Sequence, residues 1–166
     1  EEKSAALGRI ATAAELSAAS GADLVIEAAT ENRGLKLQHL PALGALVPGH
    51  VILATNTSSI SITEIAARTD RPEQVIGMHF MNPVPVMQLV ELIRALSTSD
   101  ETARATREVA ESLGKTVAEA RDYPGFVANR ILMPMINEAV YCLMEGVADA
   151  PSIDTVMKLG MNHPLG

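Results

Sequence analysis

Cysteine is almost missing from this 166-residue chain: the single one, Cys142, sits among apolar residues in a helical pattern, so no disulfide framework exists and no catalytic thiol is expected. A reducing cytoplasm is the expected setting. No apolar run approaches the roughly 20 residues of a membrane span, and Glu1-Glu2-Lys3 lacks the apolar stretch of a secretion signal, so a soluble protein is expected. Internal repeats, low-complexity tracts and long blocks of like charge are missing too, which sets aside modular and disordered classes. Positive charge is scarce, 13 Lys and Arg against 20 Asp and Glu, for a formal net charge of −7. That balance argues against nucleic acid or an anionic membrane as the main partner. A local basic pocket for a phosphate stays open, with Arg33 and Lys36 as candidates. What the chain does have is a 48% hydrophobic composition, enough for one sizeable core and a second small one.

Residues 1–7 read as the end of a helix stopped by Gly8, and Arg9 to Thr12 as a short strand. After a helical patch at 13–18, Leu24 to Ala28 reads as an apolar strand buried on both faces, whose end delivers Thr30, Glu31 and Asn32. Leu35 to Leu46 reads as a helix with apolar residues at Leu35, Leu40, Leu43 and Leu46, closed by Pro48-Gly49. Val51 to Ala54 is the next strand, ending in Thr55-Asn56-Thr57-Ser58-Ser59. Ser61 with Glu64 three residues on forms a capping box for a helix through Arg68. This is βαβ rhythm, and it implies a parallel sheet in an α/β fold.

Val75 to Met78 reads as a third strand, delivering His79. Asn82-Pro83-Val84-Pro85 cannot continue it, because proline lacks the ladder donor and restricts the residue before it. Val86 to Ile93 then reads as a further strand carrying Glu91. If the strand ends meet, a carboxylate on one imidazole nitrogen would fix the tautomer and raise the basicity of the other, giving a general base. The alternative is that His79 caps a strand end and Glu91 faces solvent. Three successive strands thus finish in polar groups, Glu31, then Asn56 and Ser58, then His79. In an open parallel sheet such ends line the ligand crevice; ordinary turn residues would look the same.

Thr98 with Glu101 reads as another capping box, opening a helix that Gly114 ends; Thr116 to Ala120 reads as a last strand, and Asp122-Tyr123-Pro124-Gly125 as a domain boundary. From Phe126 to Glu145 the pattern is helical, with Asn129, Met133, Ile136, Val140 and Leu143 on one stripe and Pro134 inside it. Asn129, the polar member, either satisfies a neighbouring backbone group or points into a site. Ser152 to Leu159 reads as a further short helix.

Five stretches carry a resemblance: E-A-A-T-E-N-R-G-L-K (27–36), N-T-S-S-I-S-I-T-E (56–64), G-M-H-F-M-N-P-V-P-V-M-Q-L-V-E (77–91), D-Y-P-G-F-V-A-N-R (122–130) and D-T-V-M-K-L-G-M-N-H-P-L-G (154–166). In this order and spacing the chain resembles the 3-hydroxyacyl-CoA dehydrogenases, in particular the 3-hydroxybutyryl-CoA type. The resemblance implies a Rossmann-like NAD-binding domain over residues 1–121, followed at 122–166 by the start of an all-helical C-terminal domain for dimerisation and substrate. It implies NAD-dependent oxidation of the 3-hydroxyl of an (S)-3-hydroxyacyl-CoA thioester in fatty-acid and butanoate metabolism, without a metal, by a homodimer when complete. His79 matches the family's general base and Glu91 its orienting partner, while Ser58 and Asn129 match residues that hold the substrate's reacting oxygens. Glu31, Lys36 and Asn56 match positions at the cofactor or the neck of the substrate, and Asn82, beside the histidine, is assigned to the cofactor with them.

Departures accompany the matches. No G-x-G-x-x-G turn, the family's seat for the pyrophosphate, occurs in the chain. In the strand order 3-2-1-4-5-6, the absent first two strands would lie between Arg9 to Thr12 and Leu24 to Ala28. The expectation is therefore the interior piece of a longer enzyme, inactive by itself. A non-catalytic module that binds acyl-CoA or docks to a partner is the alternative, and the dehydrogenase part of a bifunctional protein a third reading, although N-T-S-S-I and N-P-V-P-V-M look closer to the monofunctional type.

Overall fold

The computed structural model describes residues 2–166, which form two compact units divided between Pro124 and Gly125. In the first, helix α1 (Glu2–Leu7) leads through irregular chain and a 3₁₀ turn (Leu16–Gly21) to five strands: β1 (Leu24–Glu27), β2 (Ile52–Thr55), β3 (Val75–Phe80), β4 (Leu89–Arg94) and β5 (Thr116–Arg121). Helices α2 (Arg33–Gly44), α3 (Ile62–Ala66) and α4 (Asp100–Ser112) connect them. Glu1, placed by the sequence in the first helix, lies outside the described residues. The strands stand in simple order β1-β2-β3-β4-β5, with all neighbours parallel except β3 and β4. The α/β expectation is met by this mostly parallel sheet.

Both faces of the central strands are covered, as hydrophobic strands joined by helices require. On one face Ala54, Ile76, Met78, Val90 and Leu92 pack with Ala103 and Ala110 of α4. On the other, Leu53, Gly77 and Ile93 meet α2 and α3. Gly77 has a packing reason to be glycine: a Cβ there would stand 2.8 Å from Cβ of Ile93 and 2.9 Å from Cδ1 of Ile62.

Several expectations need correction. Arg9 to Thr12 is not a strand but exposed irregular chain, since a strand needs a ladder partner and β1 pairs only with β2. For the same reason β1 is an edge strand, not a fully buried one; Val25 and Glu27 point inward while Ile26 is 39% exposed. Helix α2 ends at Gly44, short of the expected Leu46; it turns Lys36, Leu40 and Leu43 to the core and leaves Leu35 exposed, while Leu46 is exposed beyond its end. An inward carboxylate on β1 explains that rotation, because burying Glu27 demands a cation opposite it. The strand expected from Val86 begins at Leu89, since the amides of Val86 and Met87 turn back onto the Pro83 carbonyl. Ser61 caps α3 as expected, but α4 is capped by Ser99, whose Oγ accepts from the Thr102 amide. Thr98 instead donates to the Val75 carbonyl and accepts from Ala95 N–H, joining β3 to β4.

The second unit holds α5 (Ala128–Met144), which runs through Pro134, and α6 (Ala150–Thr155), which continues as a π turn over Val156–Gly160. Asp149 caps α6 through the Ser152 amide.

Candidate active site

The β3–β4 register sets His79 directly opposite Glu91. Directly paired residues of antiparallel strands have Cβ atoms about 4.5–5.5 Å apart and share a face, so the side chains meet without distorting either strand. Glu91 Oε2 lies 2.8 Å from His79 Nδ1, and both residues are buried. A carboxylate can only accept, so Nδ1 carries a proton, and in the neutral imidazole Nε2 then presents a lone pair. That lone pair is directed at Ser58: Oγ stands 3.1 Å from Nε2 and donates to it. The aligned set Glu91–His79–Ser58 is a general base whose accepting nitrogen already holds a hydroxyl. Solvent-facing Glu91, the alternative read in the sequence, is not what the fold builds.

Ser58 is carried there by the loop after β2. Asn56 Oδ1 accepts from Phe80 N–H at 2.9 Å, and the backbone N–H of Asn56 donates to the Glu27 carbonyl, so one residue ties β1, β2 and β3 together at their carboxyl ends. Glu31, in the segment between β1 and α2, takes hydrogen bonds from Thr57 Oγ1 (2.6 Å) and Ser58 N (2.9 Å). Beneath these lies a pair that the sequence reading missed. Lys36 Nζ is 2.6 Å from Glu27 Oε2, which also accepts from Thr55 Oγ1 at 2.9 Å, while Oε1 accepts from Ala29 N–H. Lys36 is only 1% exposed. Its ammonium faces a carboxylate and not an open phosphate pocket, and Arg33 likewise pairs with Glu64. A lysine one helical turn before Leu40 and two before Leu43 was the available signal.

Asn82 is exposed in the loop between β3 and β4, whose Val84 and Met87 carbonyls accept from Lys115 Nζ. Asn129 lies in the first turn of α5, in the second unit. The first unit thus brings together His79, Glu91, Ser58, Asn56, Glu31 and Lys36 within one hydrogen-bonded region.

Among the carboxyls held below their ordinary values are Glu27, Glu31 and Asp122. For Glu27 and Glu31, burial pushes upward but is outweighed, by Lys36, Ala29 and Thr55 for the first and by Thr57, Ser58, Lys36 and Ser59 for the second. For Asp122, burial is likewise outweighed by the donors of Ser61 and Thr63 at the start of α3. A depressed folded-state value stabilises above the unfolded value and is lost as pH falls through the folded one. The urea midpoint is therefore expected to decline below the ordinary glutamate value of 4.5. Asp122→Asn should make that decline shallower, and a midpoint flat from about pH 6 to about pH 3 would contradict the assignment.

Residues 1–123 match the NAD binding domain of the 3-hydroxyacyl-CoA dehydrogenases and residues 125–166 match that family's C-terminal domain. The chain belongs to the 3-hydroxyacyl-CoA dehydrogenase family. It is 58% identical to a probable 3-hydroxybutyryl-CoA dehydrogenase of Bacillus subtilis, over 99% of this chain and 58% of that protein. Against the 3-hydroxybutyryl-CoA dehydrogenase of Bradyrhizobium diazoefficiens it is 52% identical, over 100% of this chain and 57% of the relative. The crystal structure of the (S)-3-hydroxybutyryl-CoA dehydrogenase of Ralstonia eutropha superposes with a TM-score of 0.97 at 53% identity, covering 99% of this chain and 58% of that one. The chain thus spans a little over half the length of these three dehydrogenases.

Proposed function

We propose that this chain carries the acid–base centre of an NAD-dependent 3-hydroxyacyl-CoA dehydrogenase that converts (S)-3-hydroxybutyryl-CoA to acetoacetyl-CoA. The observation that carries the reading is the His79 Nε2 lone pair, oriented by Glu91 and already meeting a hydroxyl. The substrate's 3-hydroxyl takes the acceptor position beside Ser58, and Nε2 removes its proton as the C3–H bond breaks. NAD, when bound, accepts the hydride. The resulting imidazolium is stabilised by the adjacent Glu91 carboxylate, and Ser58 aligns the reacting oxygen; Asn129 is assigned to the substrate by the family resemblance alone. Alignment of this kind can contribute several orders of magnitude, and a positioned base about 10²–10⁴ in rate.

The donor set fits the reacting end of such a cofactor. Glu31 concentrates its loop hydrogen bonds on Oε1, which leaves Oε2 as an acceptor for a cofactor hydroxyl or amide N–H. Asn56 and Asn82 are assigned to the cofactor by the family resemblance, and Lys36 supports the site from below through Glu27. The glycine turn for the pyrophosphate is not among this chain's residues. Residues 1–121 are accordingly assigned to the cofactor-binding domain and 122–166 to a helical domain for dimerisation and substrate. The exposed apolar side chains of α5, among them Ile131, Met133, Ile136 and Val140, support a homodimer. We place the protein in fatty-acid β-oxidation and butanoate metabolism in the cytoplasm, consistent with its one free cysteine; no helix among the described residues is long and apolar enough to cross a membrane.

The test is to graft this chain into the Ralstonia enzyme in place of the matching segment and to follow NADH oxidation by acetoacetyl-CoA. Turnover is expected; a graft that folds but does not turn over would overturn the reading. The same exposed apolar face favours the second reading, a module that binds acyl-CoA or a partner without catalysis, which predicts acetoacetyl-CoA binding with no NADH consumed.

A further inference from the structure

Glu31 is assigned above to the cofactor, yet its hydrogen bonds point inward, to the loop that carries Ser58. Four donors converge on one oxygen, Oε1: Thr57 Oγ1 at 2.6 Å, Ser58 N at 2.9 Å, Ser59 N at 3.2 Å and Ser59 Oγ at 3.3 Å. They come from three consecutive residues, so a single acceptor sets the path of the chain across the end of β2. The central residue of the three is Ser58, and its Oγ lies 3.1 Å from the accepting nitrogen of His79. Within the loop, Ser59 N and Ile60 N donate to Thr57 Oγ1, and Thr57 Oγ1 makes the shortest of the bonds to Glu31. The Glu31 carboxylate thus anchors the loop at Thr57, Ser58 and Ser59, beside the tie that Asn56 makes to β3.

We propose that Glu31 is a positioning residue for the reaction: through Oε1 it holds the Ser58 hydroxyl on His79 Nε2, and so sets the angle at which Ser58 and the base share the reacting oxygen. This rests on the reading of His79 as the base and Ser58 as the group beside it. The physical reason is geometric. Ser58 has one rotatable bond between its backbone and its hydroxyl, so any drift of the loop is transmitted to Oγ, and a misplacement of about 1 Å in a reacting arrangement can cost roughly 10²-fold in rate. A carboxylate suits the task because an ionised oxygen accepts several donors at once and binds them more strongly than a neutral acceptor does.

A contact acting only through charge on a bound cofactor would behave differently, and two variants separate the cases. Glu31→Gln keeps an oxygen at the length of the native side chain without the charge. Glu31→Asp keeps the charge but withdraws it by one methylene from the loop.

The first readout is the ¹⁵N resonance of His79 Nε2 in the whole 166-residue chain, with no cofactor or substrate present. Ser58→Ala removes the hydrogen bond to Nε2 and shifts that resonance downfield. Glu31→Ala and Glu31→Asp are expected to produce the same shift, Glu31→Gln to stay near the native position, and Glu31→Ala combined with Ser58→Ala to move no further than Ser58→Ala alone. If Glu31→Ala loses its fold, Glu31→Asp decides the question in its place. A native Nε2 resonance in Glu31→Asp, or in a folded Glu31→Ala, overturns the proposal.

The second readout is kinetic, in the graft. Glu31→Ala is expected to lower kcat about 10²-fold, with the Ser58→Ala double variant no slower than the slower single one. An unchanged kcat with a raised KM for NADH would also overturn positioning while leaving the dehydrogenase reading intact. The predicted resonance pattern in a graft without turnover would do the opposite, keeping the positioning and removing the dehydrogenase.

Discussion

His79→Asn is expected to reduce turnover of acetoacetyl-CoA in the grafted enzyme by about 10²–10⁴-fold while leaving the fold in place, the range that a positioned general base contributes. At room temperature this corresponds to about 2.7–5.5 kcal/mol of transition-state stabilisation. Asparagine is the informative replacement because its amide N–H can still reach Glu91, whereas alanine would leave that carboxylate buried without its 2.8 Å partner. The loss should fall on kcat and on kcat/KM together, since the proton passes between Nε2 and the substrate oxygen, given in this reductive direction and taken in the oxidative one, only in the transition state. Glu91→Gln should cost less than His79→Asn. Its amide N–H can bond Nδ1 in the tautomer that puts the proton on Nε2, where it can no longer accept from Ser58 or from substrate. Turnover of His79→Asn within a factor of ten of native would move the base elsewhere.

Lys36→Met is expected to destabilise the chain by about 3–5 kcal/mol, the cost of leaving one member of a buried ion pair uncompensated. Against the roughly 5–15 kcal/mol that holds an ordinary domain, this is the largest stability effect expected of a single side chain here. Glu27 is 4% exposed and its carboxylate already serves the Ala29 amide and Thr55, so without Lys36 its charge remains where water cannot reach it. Lys36→Met together with Glu27→Gln should recover most of the loss, because the amide oxygen still accepts from those donors and no charge is stranded. Urea unfolding of the native chain, both single variants and the pair gives the coupling directly. The deficit of Lys36→Met should also shrink toward low pH, as Glu27 takes up a proton. Simple additivity of the two substitutions would mean that the pair is not a coupled unit.

The same cluster marks where reading the sequence stopped. Leu35, Leu40, Leu43 and Leu46 look like the core stripe of α2, since apolar residues at helical spacing usually are. The helix instead turns Lys36 inward because a carboxylate waits on β1. Hydrophobic period carries no information about which polar residue across a fold will neutralise which. The Thr98 capping box failed for a related reason: Ser99 can cap the helix equally well, and Thr98 is drawn away by a buried strand carbonyl. At Val86 and Met87 the apolar pattern continues into a turn, because backbone bonds to the Pro83 carbonyl compete with the ladder.

By itself the sequence determined the α/β class, the position of each sheet strand to within a few residues, and the identity of the polar groups at the strand ends. Those follow from local rules, the period of apolar residues and the breaking power of proline and glycine, which act over a few residues. Only the tertiary structure decided that β4 turns back antiparallel in the register that sets Glu91 on His79, that Asn56 ties β2 to β3, and that Glu31 gathers the Ser58 loop. These are contacts between residues 12 to 27 positions apart. Their geometry is set by strand register and hydrogen-bond direction, and a slip of one residue would turn His79 to the opposite face of the sheet with the same composition and the same local pattern.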